Sequence, residues 1–196
     1  MKLTQTVAPA AEPILLADAR SWLGFASDVT DDDTLIEELI VKVRHYVEKR
    51  TNRKLITQTW TVSLDFEEIV DEIYLPLIPL ASISSIVTYD DDGDTTTVDS
   101  SNYSVRTGEH PRIVLSPSGS WPGDMREYDA MLITCVAGYG AAGSSLPQDL
   151  IEVIEGLTLH KYSTRGMGVR ETVSGQLISI PNDFKNTLKS YRVFPI

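Results

Sequence analysis

The sequence predicts an α+β fold in which a small helical bundle, made of N-terminal and C-terminal helices, carries an inserted antiparallel β unit. Three observations predict it. Apolar residues recur at helical spacing over residues 35–47. β-branched and apolar residues alternate with polar ones over residues 57–64, and further short runs of the same kind follow. Helical spacing then returns at residues 150–157.

The N-terminal part of the chain predicts two helices behind a short arm. Residues 1–12 are rich in Thr, Ala and Pro and lack the apolar core of a signal peptide, so they predict the arm. Residues 15–25 carry a short helical pattern. The helix over residues 35–47 is predicted to place Arg44 and Glu48 on or near its polar face, and aspartates precede it, where the helix dipole is positive.

Short strands separated by turn residues make up the predicted β unit. Asp92-Gly93 is typical of a tight hairpin turn and joins the runs at residues 83–89 and 95–98. The other predicted strands lie at residues 73–77, 103–105, 112–115 and 130–136.

Helix returns after a glycine-rich loop. Pro147 is predicted at the first position of a helix that ends near Tyr162. Residues 163–181 are polar, contain glycine and predict a mobile segment. Asn182 is predicted to cap a last short helix. One face of that helix holds three large side chains, those of Phe184, Leu188 and Tyr191.

This order of elements predicts the domain organisation. Residues 1–54 hold the N-terminal helices, residues 55–137 the inserted β unit, and residues 138–196 the C-terminal helices and a tail. We expect residues 1–54 and 138–190 to form one helical core.

Charge and composition exclude several classes of protein. The net charge is −11, and this opposes DNA binding, because such binding draws much of its free energy from Lys and Arg at phosphates. No apolar run is long enough to cross a membrane. Cys135 is the only cysteine and lies in an apolar run, so we expect a buried, inert thiol and no internal disulfide.

The charges are unevenly distributed. Residues 65–101 hold ten acidic and no basic side chains, whereas residues 156–196 hold six Lys or Arg and two acidic ones. The pattern fits different partners, or copies of one chain that meet through unlike surfaces, and equally fits two solvated surfaces.

Gly138, Gly140 and Gly143 have the spacing of a dinucleotide-binding glycine loop. Such a loop opens a parallel βαβ unit, with the helix directly behind the glycines. Here residues 144–147 intervene, and no parallel strand with a ribose-binding acid follows, so a flexible connection is favoured over a nucleotide-dependent oxidoreductase. The sequence offers no catalytic constellation and predicts a protein that is not an enzyme and has no cofactor.

The acidic run at residues 90–94 matches a calcium loop only in part. Aligning Gly93 with the loop glycine puts Thr88 and Asp99 at the end positions, where Asp and Glu belong, and strands flank the run. A hairpin turn is favoured, with a calcium-stabilised adhesion module as the alternative. The histidines lie far apart in sequence and predict neither a zinc site nor a catalytic triad: His45, His110 and His160.

The chain ends in large apolar residues, although chain ends are usually polar. Val193, Phe194 and Ile196 follow Tyr191 and Arg192. We expect this tail to dock, either onto its own domain or onto a partner chain.

Several segments together resemble the head–tail connector proteins of long-tailed bacteriophages, in the larger subgroup with an inserted β unit. The segments are LADARSWL at residues 16–23, DDDTLI at 31–36, YVEKRTNRKLITQTW at 46–60, LPLIPL at 75–80, ISSIVTY at 83–89, AGYG at 137–140, LP at 146–147 and YR at 191–192. The resemblance covers nearly the whole chain. Each piece is weak alone, and their order and spacing carry the similarity.

The resemblance implies a virion structural protein that forms a ring, typically of twelve copies, beneath the portal in the neck between capsid and tail. It implies assembly in the host cytoplasm, a DNA channel that DNA passes without specific binding, and a platform for the stopper or tail-completion protein. A neck stopper or tail-completion protein is the alternative. No membrane is involved.

Residue roles follow as hypotheses from the resemblance and the apolar tail. The residues expected to dock onto the portal are Phe184, Leu188, Tyr191, Arg192, Phe194 and Ile196. The residues expected to contact neighbouring copies in the ring are Leu35, Leu39, Tyr46 and Arg50.

Overall fold

The computed structural model describes residues 1–26, 28–164, 172–173, 176–177 and 180–194. The predicted mobility of residues 163–181 falls largely outside these residues, and the predicted role of Ile196 falls wholly outside them. The chain divides into a helical unit, Ala11–Leu55 and Ala142–Val193, and a β unit, Met1–Ala10 and Ile56–Ala141 together with Phe194. The α+β fold class is confirmed.

Helices α1 to α4 form the helical unit, and their bounds are Leu16–Leu23, Asp33–Thr51, Gln148–Ser163 and Asn182–Ser190. Helix α2 contacts each of the other three and buries an apolar stripe that includes Ile36, Ile40, Val43 and Val47. It ends at Asn52, which adopts a left-handed conformation (φ 56°) that asparagine tolerates better than most residues. No helix among the described residues is long and apolar enough to cross a membrane.

Two charged residues of α2 are buried, so their predicted place on or near the polar face was wrong. Arg44 is 5% exposed and Glu48 is 8% exposed. They follow Ile40 at intervals of four residues, which puts them along the edge of the apolar stripe. The error arose because the partner that neutralises Arg44 comes from a distant part of the sequence.

The starts of α3 and α4 each lie one residue from their predicted positions. Pro147 precedes α3 with ψ 137°, and Pro181 precedes α4 with ψ 142°. These values are extended, so each proline lies outside its helix. Asn182 is accordingly the first residue of α4, and the prediction that it caps the helix was wrong.

The β unit contains strands β1 to β8. Their bounds are Lys2–Val7, Gln58–Leu64, Glu72–Tyr74, Leu80–Tyr89, Thr95–Thr97, Tyr103–Arg106, Arg112–Leu115 and Met131–Ala137. One sheet has the order β1-β2-β8-β4-β5 and a second has the order β3-β7-β6, with every pairing antiparallel. Strands β9 (Thr172–Val173) and β10 (Gln176–Leu177) pair separately.

Side chains from both larger sheets share one apolar core. Val62, Ile86 and Ile133 come from the first sheet, and Ile73 and Ile113 from the second. All five are at most 2% exposed. The alternating pattern of β8, in which every second residue is buried, is what a strand with one buried face requires.

The N-terminal residues predicted as a short arm contain a strand, which the sequence analysis did not predict. Residues Lys2–Val7 form β1 and pair with β2 at the edge of the first sheet. All six side chains are exposed, so the strand carries no buried alternation that a sequence pattern could reveal. Its order comes from backbone hydrogen bonds to β2 and from an ion pair between the Met1 amino group and Glu68.

Cys135 lies fully buried in the centre of β8, in agreement with the expected inert thiol. Burial raises the pKa of this thiol to about 12, so the reactive thiolate is absent at neutral pH. We expect a thiol reagent such as Ellman's reagent to leave the native protein unlabelled at pH 8 and to label one thiol per chain in denaturant. Rapid labelling of the native protein would contradict the buried position.

The same thiol should lower stability in alkali. The unfolded thiol loses its proton above a pKa of about 8.5, whereas the folded thiol holds it until about pH 12. The contribution of the thiol to the free energy of unfolding is therefore fully present below its pKa in the unfolded chain. That contribution is lost as the pH rises from there through its pKa in the folded chain. Urea denaturation between pH 8 and pH 11 should show a steeper loss for the native chain than for Cys135→Ala.

Candidate interaction surfaces

The glycine loop that raised a nucleotide-binding alternative is explained by packing. A Cβ atom at Gly138 would lie 2.6 Å from the backbone of Ile56, and one at Gly143 would lie 1.8 Å from the carbonyl oxygen of Pro13. Gly140 accepts a hydrogen bond from the Thr57 amide at 2.9 Å. The strand before the loop, β8, has antiparallel neighbours, which differs from the parallel βαβ unit of a dinucleotide site.

The acidic run at residues 90–94 is the predicted hairpin turn between β4 and β5. Asp90 accepts hydrogen bonds from the amides of Gly93 and Asp94, and Gly93 has a φ of 86°. Within the described part of the chain, no group of three or more His, Cys, Asp or Glu side chains is arranged to hold a metal ion.

Helix α4 is seated on α3 through an aromatic ring and a glycine. A Cβ atom at Gly156 would lie 2.1 Å from the Phe184 ring, so the missing side chain leaves room for that ring. Leu188, one turn later, is 4% exposed. Both residues were predicted to dock onto a portal. Leu188 is already covered by its own unit, and Phe184 is half-buried.

The segment after α4 is held by the end of α2. The Arg53 Nε atom donates to the carbonyl of Tyr191 at 2.7 Å, and the Asn52 side-chain amide donates to the carbonyl of Val193 at 2.7 Å. The Val193 amide in turn donates to the carbonyl of Thr51 at 2.9 Å. Residues 191–193 therefore dock onto their own domain, which is one of the two alternatives predicted for the tail.

Tyr191 is also fixed to α3, because its hydroxyl donates to Asp149 at 2.7 Å. Two predicted docking residues remain at the surface beside these anchors. Arg192 is exposed, and Phe194 is 69% exposed. The hydrogen bonds fix the backbone at Tyr191 and Val193, next to these two residues, which lowers the backbone entropy lost when a partner binds them.

The predicted ring contacts differ in exposure. Leu39 is 9% exposed and Leu35 is half-buried, so both mainly pack within the helical unit. Arg50 is exposed and lies over the ring of Tyr46, 5.8 Å from its centre.

Tyr46 and Arg50 form one wall of a cleft that sequence reasoning did not predict. The cleft, of about 450 Å³ and open to solvent, lies between the end of α2 and α4. We call it the basic cleft, and its lining residues are Tyr46, Arg50, Lys185, Leu188, Lys189 and Arg192. Four of these six side chains are cationic on a chain whose net charge is −11. Their convergence joins sequence positions far apart, and the basic C-terminal composition was the only sign of it.

A second depression on the helical unit carries the opposite charge. It has a volume of about 840 Å³ and is bounded by residues 11–15, α1 and the start of α3. We call it the acidic groove. The residues of its lining that carry charge or large apolar surface are Glu12, Leu15, Asp18, Trp22, Ile151 and Glu155. Leu15 is 64% exposed and Trp22 is 38% exposed.

The carboxylates of the acidic groove lie close to one another. The pKa of Glu155 is raised, first by burial and then by repulsion from Glu152 and Asp18. No ion pair among the described residues involves these three carboxylates.

A buried ion-pair cluster fixes the wall of the groove. The Arg44 guanidinium contacts Glu12 through Nε at 2.7 Å and Nη2 at 3.1 Å, and lies 3.6 Å from Glu48. Glu48 also accepts a hydrogen bond from the Leu55 amide at 3.0 Å. The cluster therefore ties residues 11–15 to α2. Sequence reasoning missed it, and the only available sign was the spacing of Arg44 and Glu48 beside the apolar stripe.

Residues 13–105 match the model of the family described as "Phage gp6-like head-tail connector protein". No curated protein matches the sequence significantly.

Solved structures of gene transfer agent particles contain chains of the same fold. One, from the neck of an empty particle computed with C6 symmetry, has a TM-score of 0.81 at 22% identity. Another, from the virion of a native particle, has a TM-score of 0.80 at 21% identity. A third, from the neck of a native particle computed with C12 symmetry, has a TM-score of 0.78 at 22% identity. Each comparison covers 100% of this chain and 97% of the other.

Proposed function

Because residues 13–105 match the model of the phage gp6-like head-tail connector family, we propose that the chain is a structural subunit of the neck of a phage or phage-like particle. The expected resemblance to head–tail connectors is confirmed by this match. The similar chains lie in the necks and virion of gene transfer agent particles, which supports the same location here.

We propose further that copies of the chain form a ring beneath the portal and support the stopper or tail-completion protein. The particles with similar chains were computed with C6 or C12 symmetry, and both symmetries are compatible with a twelve-membered ring. The role needs no turnover, and the packing of the glycine loop removes the main motif in favour of an enzyme.

The acidity of the chain supports passage of DNA without binding. A channel wall that held phosphates tightly would slow DNA release, whereas a net charge of −11 repels the phosphate backbone. The four cations of the basic cleft face a local depression of the helical unit, which suits a protein partner better than a long DNA track.

One observation carries the proposal for portal binding. The exposed Arg192 and Phe194 directly adjoin Tyr191 and Val193 along the chain, and hydrogen bonds from Arg53 and Asn52 hold those two neighbours in place. Aromatic and arginine side chains dominate binding energy at protein interfaces. An anchored pair of this kind is suited to docking onto a portal ring.

We expect Phe194→Ala to weaken binding to portal rings of the same particle at least tenfold, because an exposed aromatic anchor is lost. Binding can be measured by biolayer interferometry on immobilised portal. Tyr128→Ala is the matched control, since Tyr128 is an aromatic residue of similar exposure (67%) that was not predicted to dock onto the portal.

A chain that ends at Val193 tests the same surface. It keeps the anchors at Tyr191 and Val193, so it should melt within a few degrees of the full chain while losing portal binding. Unchanged portal affinity of this shortened chain would reject the docking role of the tail.

A further inference from the structure

The acidic groove and the basic cleft lie on the same helical unit but on different sides of α3. Asp149 and Gly156 face the α4 side, through contacts with Tyr191 and Phe184. Ile151 and Glu155 line the acidic groove. At about 100° per residue, the two pairs are centred roughly 130° apart around the helix. A chain therefore cannot bring its own groove and cleft together without unfolding.

The two surfaces are complementary in charge. The groove presents Asp18 and Glu155, and the cleft presents Lys185 and Lys189, and none of these four side chains has an ion-pair partner among the described residues. Both surfaces also offer apolar or aromatic area. Trp22 and Leu15 are exposed at the groove, and the half-buried Tyr46 lines the cleft.

We propose that the acidic groove of one copy receives the basic cleft of the next copy. The contact is heterologous, because two different surfaces meet, and a heterologous contact generates either a closed ring or an open filament. This inference rests on the proposed function and gives it a mechanism, since it identifies the surfaces that join neighbouring subunits. Tyr46 and Arg50, expected from the sequence to lie between copies, belong to the cleft.

A second copy fits these surfaces better than nucleic acid does. Nucleic acid could occupy the basic cleft alone, but it would supply no cations to Asp18 and Glu155 of the acidic groove. A second copy supplies cations for the groove and carboxylates for the cleft through one repeated contact. Exposed ion pairs alone bind weakly, so Trp22, Leu15 and Tyr46 are expected to supply most of the affinity.

The contact can be tested by reversing charges on each surface separately. Asp18→Lys with Glu155→Lys makes the groove as well as the cleft basic, and Lys185→Glu with Lys189→Glu removes the net positive charge of the cleft while the groove stays acidic. Each double variant alone should lose self-association at least tenfold, measured by sedimentation at low salt. An equimolar mixture should recover association, because the introduced lysines of one variant can then pair with the introduced glutamates of the other, while the unsubstituted groove and cleft pair as in the native chain.

A chain that carries all four substitutions should also associate with itself, and it keeps the net charge of −11. This separates complementarity from overall charge. Glu38→Lys with Lys42→Glu is the control, because it inverts an exposed ion pair of α2 outside both surfaces and should change nothing. Circular dichroism melting confirms that each variant is folded.

Carbodiimide crosslinking of a mixture of ¹⁴N and ¹⁵N chains identifies the contact directly. Mixed-isotope crosslinks should join Asp18 or Glu155 of one copy to Lys185 or Lys189 of another, both in concentrated solution and on portal rings. Folded variants that fail to recover association when mixed, together with no such crosslink, would overturn the inference.

Other occupants give distinct results. Loss of portal binding by the Lys185→Glu, Lys189→Glu variant without rescue by its partner variant would assign the cleft to the portal and overturn the inference. Binding of a DNA oligonucleotide that competes for the cleft would overturn it as well. In either case the Phe194→Ala experiment tests the proposed function independently.

Discussion

Gly138→Ala is expected to destabilise the protein by about 2 to 5 kcal/mol, because two penalties coincide at this residue. Its φ of 133° lies in a region that residues with side chains rarely adopt, and the new Cβ atom would lie 2.6 Å from the backbone of Ile56 and Thr57. Neither backbone segment can move without disturbing the pairing at the start of β2. Urea denaturation followed by circular dichroism measures the change.

Alanine substitutions at two other glycines distinguish the cost of backbone strain from the cost of overlap with neighbouring atoms. Gly93→Ala meets no atom within 4 Å but has a φ of 86°, so it should show only the cost of backbone strain, about 1 kcal/mol or somewhat more. Gly123→Ala meets neither obstacle and should leave stability nearly unchanged. If Gly138→Ala proved no worse than Gly93→Ala, the close approach between Gly138 and the backbone of residues 56–57 would be wrong.

Arg44→Ala is expected to lower the free energy of unfolding by about 3 to 5 kcal/mol, the usual effect of breaking a buried ion pair from one side. Arg44 is 5% exposed and satisfies Glu12 and the buried Glu48. Its removal leaves the Glu48 carboxylate buried without that cation and frees residues 11–15 from α2. Thermal melting and urea denaturation both report the loss.

Lys42→Ala is the natural comparison, because Lys42 forms an exposed ion pair with Glu38 on the same helix. Exposed pairs contribute little, so its melting temperature should stay within about 1 °C of the native chain. A similar melting temperature for Arg44→Ala would show that the buried cluster does not hold the N-terminal segment in place.

Arg44→Ala is also expected to weaken the proposed contact between subunits. Glu12 lines the acidic groove and is positioned by Arg44. The folded fraction of the variant should therefore self-associate less than its stability alone would explain. Lys42→Ala, which leaves the groove intact, should associate like the native chain.

Local patterns in the sequence were sufficient for most of the elements. The 19-residue α2 and the hairpin at Asp92-Gly93 carry strong signals, because periodicity and turn chemistry act over a few neighbouring residues. Strand β1 carries none, because it lies at a sheet edge with every side chain exposed. Its place depends on pairing with β2, more than fifty residues away.

The candidate interaction surfaces could be predicted only in part from such local patterns. The apolar tail and the basic C-terminal composition pointed to Arg192 and Phe194, which are exposed as docking residues must be. Leu188 and Leu39 also satisfied the pattern, but a helical stripe does not distinguish a side chain that faces its own core from one that faces a partner. Both are buried in the helical unit.

The sequence by itself determined the α+β class, most helices and strands, the acidity that disfavours DNA binding, and the resemblance to head–tail connectors. Only the tertiary structure decided that Arg44 contacts Glu12, that residues 51–53 anchor Tyr191 and Val193, and that cations from α2 and from residues 185–192 converge on one cleft. These contacts join residues that are far apart along the chain. Local propensity does not encode them, because they exist only once the apolar faces have packed and brought the segments together.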